Sequence, residues 1–487
     1  MSRPTSRRPR IALLVDHPDR DLPGLVLTAV ELCRQGAVCH LVPANLAWRE
    51  IWALAPDFVL FNYLRRTNQA LGARLVEAGI PFAALDTEGG VWPEPGSYAE
   101  LLWTDASLRR QAAGLYCWGR RMADYLVAEG FFDRPQIALT GCPRFDFYHP
   151  SWRAVLAKDD SGKAPGPPQI LVNTNFSTRN PRFATVEQKI ATAKANIGWS
   201  ESRIREILDI EERAILQFIE ITRRLAREHP ECRVLLRPHP FEDLAWYQRE
   251  LRAYPNVLVD NQGPVQSVLF ESALVVQRSC TTGIEAGLIG TPTLSPQWIT
   301  PPYLMPTAEA VSVPCGDAAE LASLTDAILA GRYTPPPDIA GAIQAMITEW
   351  FHAIDGESYR RVANAIMAAA PRRPVRASSF ARQRLYLDDD AGVPLTGVRA
   401  LGARVRIAAR LSPDWSFHQA RTVPRLGWAR TRKYYDAERV RHLADACAQQ
   451  LRGRGFTVPR IEACAARDRG DYLVGRFGHS VTLTSNA

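Results

Sequence analysis

The first 150 residues alternate short apolar runs with helix-like segments, and this alternation limits the chain to a small set of folds. The runs predict strands at residues 11–17, 37–43, 56–63, 80–90, 114–119 and 136–141, with helices at 22–36 and 68–79. Almost continuously apolar strands are typical of a parallel sheet covered by helices on both faces. The sequence therefore predicts a doubly wound α/β unit, in which ligands gather at the carboxyl ends of the strands.

A second α/β block follows a stretch rich in Pro, Gly, Asp and Lys. Its predicted strands are residues 169–176, 232–238, 256–260, 273–279 and 291–296, and residues 184–228 are mostly helical. The predicted order is a disordered basic N-terminus at 1–9, a Rossmann-like domain at 10–150, a linker at 151–168, a second Rossmann-like domain at 169–335, a crossover helical segment at 336–370 and a basic C-terminal region at 371–487.

The net charge of +8 is unevenly distributed. Residues 371–487 hold 22 Lys and Arg against 10 Asp and Glu, whereas the first 370 residues hold 37 against 41. This surplus predicts contact with an anionic partner, such as a membrane face or an anionic glycan, and a solvated arginine-rich surface is the alternative. No nucleic-acid partner is predicted, because no binding motif accompanies the charge. Residues 436–455 predict an amphipathic helix.

The nine cysteines are scattered, and none forms a CxxC pair. Several lie in apolar runs, which predicts reduced, buried thiols of a cytoplasmic protein and argues against a disulfide framework or a zinc site. The histidines also lack metal-ligand spacing, so no metal site is predicted. No apolar run approaches the roughly 20 residues of a membrane span. The N-terminal apolar run meets Asp16 after five residues, which is too short for a signal peptide.

The first motif of the second block is RPHP, directly after the strand at 232–238. Proline restricts the backbone, so His239 is expected on a rigid turn at the carboxyl edge of the sheet. An imidazole there can donate to a phosphate or nucleotide oxygen, and Arg237 can supply lasting positive charge. A histidine that only caps a turn is the alternative.

The second motif, Ser279-Cys280-Thr281-Thr282, follows another strand and opens a helix. Hydroxyls and amides at a helix start either bind a phosphate or cap the helix. Glu285 lies three residues after Thr282, which fits a capping box, or it accepts from ribose hydroxyls. Asn175, at the end of the strand at 169–176, is expected to line the floor of a cleft.

The third motif is Asp86-Thr87-Glu88-Gly89-Gly90, at a strand end in the first block. Sugar transfer with inversion needs a carboxylate that takes the proton of the acceptor hydroxyl. Glu88 is the first candidate and Asp86 the second, while Gly89 lets a substrate approach closely and Asp16 is expected to line the same cleft. A solvated acidic turn is the alternative. Residues 141–146 predict an ordered hinge.

With these motifs the chain resembles GT-B-fold transferases of bacterial surface polysaccharide assembly, most closely the surface carbohydrate biosynthesis proteins. It is more distantly similar to capsule Kdo transferases, bacterial sialyl- and polysialyltransferases and teichoic-acid glycerophosphotransferases. The sialyltransferase-like groups share an acidic pair before Gly, a His-Pro and a Ser/Thr pair, and the order here is Thr87-Glu88-Gly89, His239-Pro240 and Thr281-Thr282. The resemblance covers residues 10–370. Thr87 departs from it, because the first acid of the pair is missing.

The resemblance implies that Glu88 or its neighbour is the general base, and that His239 with Thr281 and Thr282 holds the cytidylate phosphate of the donor. The expected fold class is α/β and GT-B-like: two Rossmann-like doubly wound domains face a cleft, the N-terminal one for the acceptor and the other for the nucleotide, with a basic α-rich C-terminal extension.

The expected protein is an inverting, metal-independent glycosyltransferase that moves a sugar from a CMP-linked donor to a surface polysaccharide or lipid-linked glycan. No cofactor is expected beyond the nucleotide-sugar donor. The predicted location is the cytoplasm, with peripheral contact at the anionic inner-membrane surface. Three alternatives stay open: a CDP-glycerol-type glycerophosphotransferase, a UDP-sugar 2-epimerase-like enzyme and a non-catalytic binding component of polysaccharide assembly.

Overall fold

The computed structural model describes residues 7–87, 91–156, 166–197, 200–371, 433–465 and 480–486. The chain forms two compact units. The first unit comprises Met1–Val155 and Thr348–Ala487, and the second unit comprises Leu156–Ile347. Each unit is built on one sheet whose core strands are parallel.

The first unit contains an eight-stranded sheet in the order β13-β14-β2-β1-β3-β4-β5-β6. Its strands are β1 (Arg10–Val15), β2 (Val38–Pro43), β3 (Phe58–Phe61), β4 (Phe82–Leu85), β5 (Gly114–Cys117), β6 (Ile137–Leu139), β13 (Arg460–Ala465) and β14 (Val481–Asn486). Strands β1 to β6 are parallel. The chain reverses its direction across the sheet after β2, which makes this sheet doubly wound.

Helices of the first unit connect these strands and cover the sheet. They are α1 (Pro18–Arg34), α2 (Ala47–Leu54), α3 (Gln69–Ala78), α4 (Pro95–Ala99), α5 (Ala106–Arg110), α6 (Arg120–Ala128), α7 (Pro150–Leu156, whose last residue belongs to the second unit), α16 (Ser358–Ala369) and α17 (Ala437–Gly453), with a π-helical turn at Ile347–Phe351. Helix α1 packs closely against the backbone at Arg144, since a Cβ added at Gly24 would lie only 2.7 Å from the Arg144 amide nitrogen.

The C-terminal residues complete the first unit. Strand β14 pairs antiparallel with β2, and β13 pairs antiparallel with β14. A hydrogen bond of 3.0 Å joins His40 Nδ1 to Thr482 Oγ1, and Ser480 donates to the Glu50 carboxylate. These two strands were not predicted, whereas the helix expected at 436–455 is confirmed as α17.

The second unit contains a six-stranded parallel sheet in the order β12-β11-β10-β7-β8-β9. Its strands are β7 (Gln169–Asn173), β8 (Arg233–Arg237), β9 (Val257–Val259), β10 (Ser272–Val276), β11 (Thr293–Pro296) and β12 (Val313–Cys315), and its helices are α8 (Val186–Ile197), α9 (Glu201–Glu228), α10 (Leu244–Leu251), α11 (Val265–Glu271), α12 (Thr281–Ile289), α13 (Pro306–Ala310), α14 (Ala318–Leu329) and α15 (Pro337–Met346). The chain crosses from β9 back over β7 to β10, so this sheet is doubly wound as well.

Helix α9 shows why the second core forms. The Ser200 hydroxyl accepts from the Arg203 amide at 3.2 Å and caps the helix. Buried positions then recur every three or four residues, which turns one face of α9 to the sheet. On that face Phe218 packs in one apolar cluster with Ile170 of β7 and Leu236 of β8.

The predicted fold class of two Rossmann-like doubly wound units is confirmed by these two sheets. Three segments differ from the sequence expectations. Helix α7 (Pro150–Leu156) takes up the first six residues of the expected linker at 151–168, and β12 was not predicted. The expected crossover segment at 336–370 is divided, since the second unit ends at Ile347. Most of the basic C-terminal region, residues 372–432 and 466–479, lies outside the described residues, as do residues 1–6.

Candidate functional site

Strand β7, in the interior of the second sheet, lies between the two predicted phosphate motifs. In the order β10-β7-β8, the end of β7 lies between the ends of the strands that precede each motif. Thr174 Oγ1 donates to Glu242 on the β8 side at 3.0 Å, and Asn173 Nδ2 lies 3.2 Å from Cys280 Sγ on the β10 side. The two motifs are therefore about two strand spacings apart, roughly 10 Å.

Arg237 is largely committed to a turn of the second unit. It is 8% exposed, and its guanidinium donates to the carbonyl oxygens of Gln262 at 2.9 Å and Gly263 at 2.6 Å. These bonds hold the segment after β9 against the end of β8. The sequence predicted that Arg237 binds the phosphate, and in the structure its guanidinium binds carbonyl oxygens of the loop after β9.

His239 is half-buried, and its ring is oriented by its own loop. The Phe241 amide donates to His239 Nδ1 at 3.2 Å, and the His239 amide donates to Glu242 at 2.8 Å. Because Nδ1 accepts, the proton of the neutral ring lies on Nε2, which makes Nε2 a hydrogen-bond donor. This tautomer is the one that can donate to a phosphate oxygen.

Glu242 fixes the His-Pro loop, and the sequence analysis missed it. Its side chain is fully buried and accepts from Thr174 at 3.0 Å, Tyr247 at 2.6 Å and the His239 amide at 2.8 Å. Burial raises the pKa of Glu242, although the three donors favour its ionised form. The only sequence signal is an acid three residues after the histidine, a spacing that turns share widely.

A strained turn carries the second motif. Ser279 has a φ of +52°, a left-handed conformation that costs a non-glycine residue about 1–3 kcal/mol. Glu309 holds it there, accepting from the Ser279 amide at 2.7 Å and from its hydroxyl at 2.9 Å. Arg278 pairs with the same carboxylate, and hydrogen bonds from Ser295 and Gln297 help to lower the pKa of Glu309 against the opposing effect of its burial. Ser279 thus shapes the turn.

Helix α12 begins at Thr281, two residues earlier than a capping box between Thr282 and Glu285 requires. Its N-cap is Cys280, whose side chain makes no capping hydrogen bond, so the capping alternative is wrong. Thr281 is exposed, whereas Thr282 and Glu285 are 7% and 4% exposed. The exposed hydroxyl lies at the positive end of the helix, where anions bind. Asn175 is also exposed.

The first unit gathers charged side chains at the ends of β1 and β4. Asp16 lies 3.3 Å from Arg20 Nη2 and 2.5 Å from Lys433 Nζ. Arg20 also reaches the hydroxyl of Thr87 at 3.3 Å, and so connects the two strand ends. Asp16 is therefore part of an ion-paired network that includes a lysine from the C-terminal region.

Asp86 is 5% exposed and forms an ion pair with Arg65 at 3.2 Å. Its carbonyl oxygen accepts from Trp118 Nε1 at 2.7 Å. A carboxylate paired with a guanidinium is a weaker base, since the nearby cation favours its ionised form. This ion pair argues against Asp86 as the base. Glu88 and Gly89 lie outside the described residues.

His17 lies beside Asp16, and the sequence analysis did not select it. Burial, followed by the charge of Arg20, lowers the pKa of His17, so the ring is neutral at physiological pH. Its Nδ1 is buried and has no hydrogen-bond partner among the described residues. A neutral imidazole at a strand end can take up a proton.

The predicted hinge at 141–146 has a structural role within the first unit. Asp146 is 1% exposed and accepts from the amides of Ser358 at 2.9 Å and Tyr359 at 2.7 Å, which caps the start of α16. Burial raises the pKa of Asp146 to about 7. The motif thus joins α16 to the rest of the unit.

Within the described ranges, no group of three or more His, Cys, Asp or Glu side chains could hold a metal ion. No helix in those ranges is long and apolar enough to cross a membrane. Eight of the nine cysteines are buried, as predicted, and Cys464 is partly exposed.

Several solved structures are similar to this chain over 74% of its length. The putative UDP-N-acetylglucosamine 2-epimerase of Listeria monocytogenes is 16% identical and covered to 96%, with a TM-score of 0.47. The UDP-GlcNAc 2-epimerase of Neisseria meningitidis, bound to UDP-GlcNAc, is 14% identical and covered to 100%, with a TM-score of 0.45. A glycosyltransferase of Rickettsia africae is 11% identical and covered to 99%, with a TM-score of 0.40. No family model and no curated protein matches the chain.

Proposed function

We propose that this protein is an inverting, metal-independent glycosyltransferase of the GT-B type. Its donor would be a nucleotide-activated sugar, with CMP as the expected nucleotide, and its acceptor a surface polysaccharide or lipid-linked glycan. The observation that carries the proposal is the end of β7, where Thr174 and Asn173 contact the His-Pro loop and the turn before α12. Two of the three motifs on which the resemblance rests, His-Pro and Thr-Thr, therefore lie along one edge of the second sheet.

The donor phosphate would bind between these two motifs. His239 offers Nε2–H, and α12 offers its first-turn amides with the Thr281 hydroxyl. Both supply positive potential that is fixed before the reaction, which stabilises negative charge as it develops on a leaving phosphate. In this assignment Arg237 and Glu309 act indirectly, because they hold the loops that carry the donors.

The acceptor would bind the first unit, with Glu88 as general base. In the inverting displacement, the acceptor hydroxyl oxygen bonds to the anomeric carbon while the bond from that carbon to the phosphate oxygen breaks. Glu88 takes the hydroxyl proton, and the nucleotide leaves with the bonding electron pair. The ion pair of Asp86 with Arg65 supports the choice of Glu88.

The arginine-rich segment at 372–432 supports a place for this enzyme at the cytoplasmic face of the inner membrane. The segment contains 13 arginines and four aspartates, without lysine or glutamate. Basic residues near an anionic lipid surface are attracted to it. The same location would supply a lipid-linked acceptor.

Thermal stabilisation by CMP, CDP and UDP tests the donor. We expect CMP to raise Tm most, because a ligand stabilises the state that binds it. Stabilisation by UDP alone would overturn the CMP assignment and favour the epimerase-like alternative, while CDP alone would favour glycerophosphate transfer. Turnover then tests the base: Glu88→Gln should lower it more than tenfold, and the matched control Asp86→Asn should lower it less. If the protein binds a nucleotide but turns over none of the nucleotide-linked donors, it is a non-catalytic component of polysaccharide assembly.

A further inference from the structure

Two loops at the carboxyl edge of the second sheet are joined into one surface. The Arg182 amide donates to the Phe241 carbonyl oxygen at 2.8 Å, and the Asp243 amide donates to the Asn180 carbonyl oxygen at 3.0 Å. These bonds flank an antiparallel bridge between Pro181 and Glu242. The loop after β7 and the His-Pro loop after β8 are thus held together by backbone hydrogen bonds, which do not depend on the Phe241 side chain.

Three aromatic rings lie on this joined surface. The ring centroids of His239 and Phe241 are 5.5 Å apart, and the planes are tilted by 31°. Phe183 meets Phe241 at 6.0 Å with an interplanar angle of 85°, and the Arg182 guanidinium lies 5.3 Å from the Phe183 ring centroid. The rings therefore follow one another in the order His239, Phe241 and Phe183, starting from the histidine that would donate a hydrogen bond to the phosphate.

Phe241 is the exposed member of this set. Its exposed fraction is 40%, the largest among the phenylalanines whose side chains the structure describes. An exposed aromatic ring held on a rigid loop, beside a histidine that can donate to a phosphate, has the pattern of a base-stacking platform. Aromatic rings bind bases in this way because every base has a π-face.

We propose that Phe241 stacks against the base of the nucleotide, with Phe183 supporting the ring from the side. This inference rests on the proposed nucleotide site and adds the residue that holds its base. The base lies on the Phe241 face, and the 5′-phosphate reaches His239 Nε2, one ring away. Stacking is tolerant of base identity, so Phe241 contributes affinity for CMP and UMP alike.

Calorimetric titration of the full chain with CMP and with ribose 5-phosphate, which lacks the base, tests the inference. We expect Phe241→Ala to weaken CMP binding by about 5- to 150-fold, the range that base–aromatic stacking gives, and to leave ribose 5-phosphate binding within about twofold. Phe241→Leu keeps the apolar bulk without the ring and should lose as much, whereas Phe241→Trp should restore CMP binding. Leu258→Ala, at an exposed position of the same sheet, is the matched control.

Two outcomes overturn the inference while the proposed function stands. One is an equal loss of CMP and ribose 5-phosphate binding, because Phe241 would then act only by positioning His239. The other is a Phe241→Ala variant that binds CMP as tightly as the wild type. Wild-type protein that binds no nucleotide would remove the proposed function and this inference together.

Discussion

Replacing Glu242 by alanine removes the acceptor on which the His-Pro loop depends. Glu242 is fully buried and receives hydrogen bonds from Thr174, Tyr247 and the His239 amide. In the alanine variant all three donors lose this acceptor, and the Tyr247 hydroxyl keeps Thr174 Oγ1 as a partner at 3.3 Å. The loop would lose the bond that places His239 at the end of β8.

The magnitude follows from these three bonds. A buried donor left unsatisfied costs about 1–3 kcal/mol, and removing a carboxylate whose burial raises its pKa returns part of that cost. We therefore expect Glu242→Ala to lower the stability of the second unit by about 3 kcal/mol. Glu242→Gln keeps an acceptor for the His239 amide, and the Tyr247 hydroxyl can turn to accept from the new amide, so its cost should be about 1 kcal/mol.

Hydrogen exchange measures this effect for each unit separately, which matters because a chain of two units need not unfold in one step. Peptides covering β8 and the His-Pro loop should exchange roughly 100-fold faster in Glu242→Ala, and peptides of the first unit should be unchanged. CMP affinity should fall in parallel. If alanine and glutamine variants exchange alike, or CMP affinity survives the loss of protection, Glu242 does not position His239.

Three further predictions concern Ser279, Asp146 and Lys433. Ser279→Gly relieves the positive φ but loses one hydrogen bond, so its free energy of unfolding should stay within about 1 kcal/mol of wild type. Glu309→Ala should lower the free energy of urea unfolding by about 3 kcal/mol, and equal losses in the two variants would mean that Ser279 is not strained. Burial raises the pKa of Asp146 to about 7, so the folded state holds this proton more tightly than the unfolded state, and the stability it contributes is fullest below about pH 4 and declines up to about pH 7. Asp146→Asn lacks this titration, so its Tm deficit should shrink over that window, and a constant deficit would refute the assignment. Lys433→Met should cost about 1 kcal/mol by chemical unfolding, while Arg134→Met, at an exposed ion pair, should cost nothing measurable; equal effects would mean that Lys433 is only a surface residue.

Strands β1 to β11 could be predicted, because apolar runs report burial directly, whereas β12, β13 and β14 were missed. Strand β8 was expected at 232–238 and extends over Arg233–Arg237, and the helix expected at 436–455 extends over Ala437–Gly453. The strand-end placement of His239 and Thr281 follows from the same pattern. Periodicity is local, so it identifies elements and the residues that end them.

The partners of the site residues could not be predicted, because they are set by tertiary contacts. Glu309 lies 30 positions from Ser279 and fixes its turn, and no local signal marks that pair. Arg237 was assigned to the phosphate from its charge and position, yet its donors reach the carbonyl oxygens of residues 262 and 263. A sequence shows that a charged side chain is at a strand end, and the fold decides which acceptor it meets.

The place of the arginine-rich segment in the chain order is defined by elements on both sides of it, among them two strands that the sequence missed. Helix α16 precedes residues 372–432, and α17 with β13 and β14 follows them, and all of these elements belong to the first unit. Strand β14 covers the edge of β2, which would otherwise present unpaired backbone groups. The described residues after 432 are therefore part of the α/β fold, and in the chain order the most basic segment lies between two parts of one unit. Lys433, the residue directly after that segment, pairs with Asp16 at the end of β1, so the insertion ends at the proposed acceptor side of the enzyme.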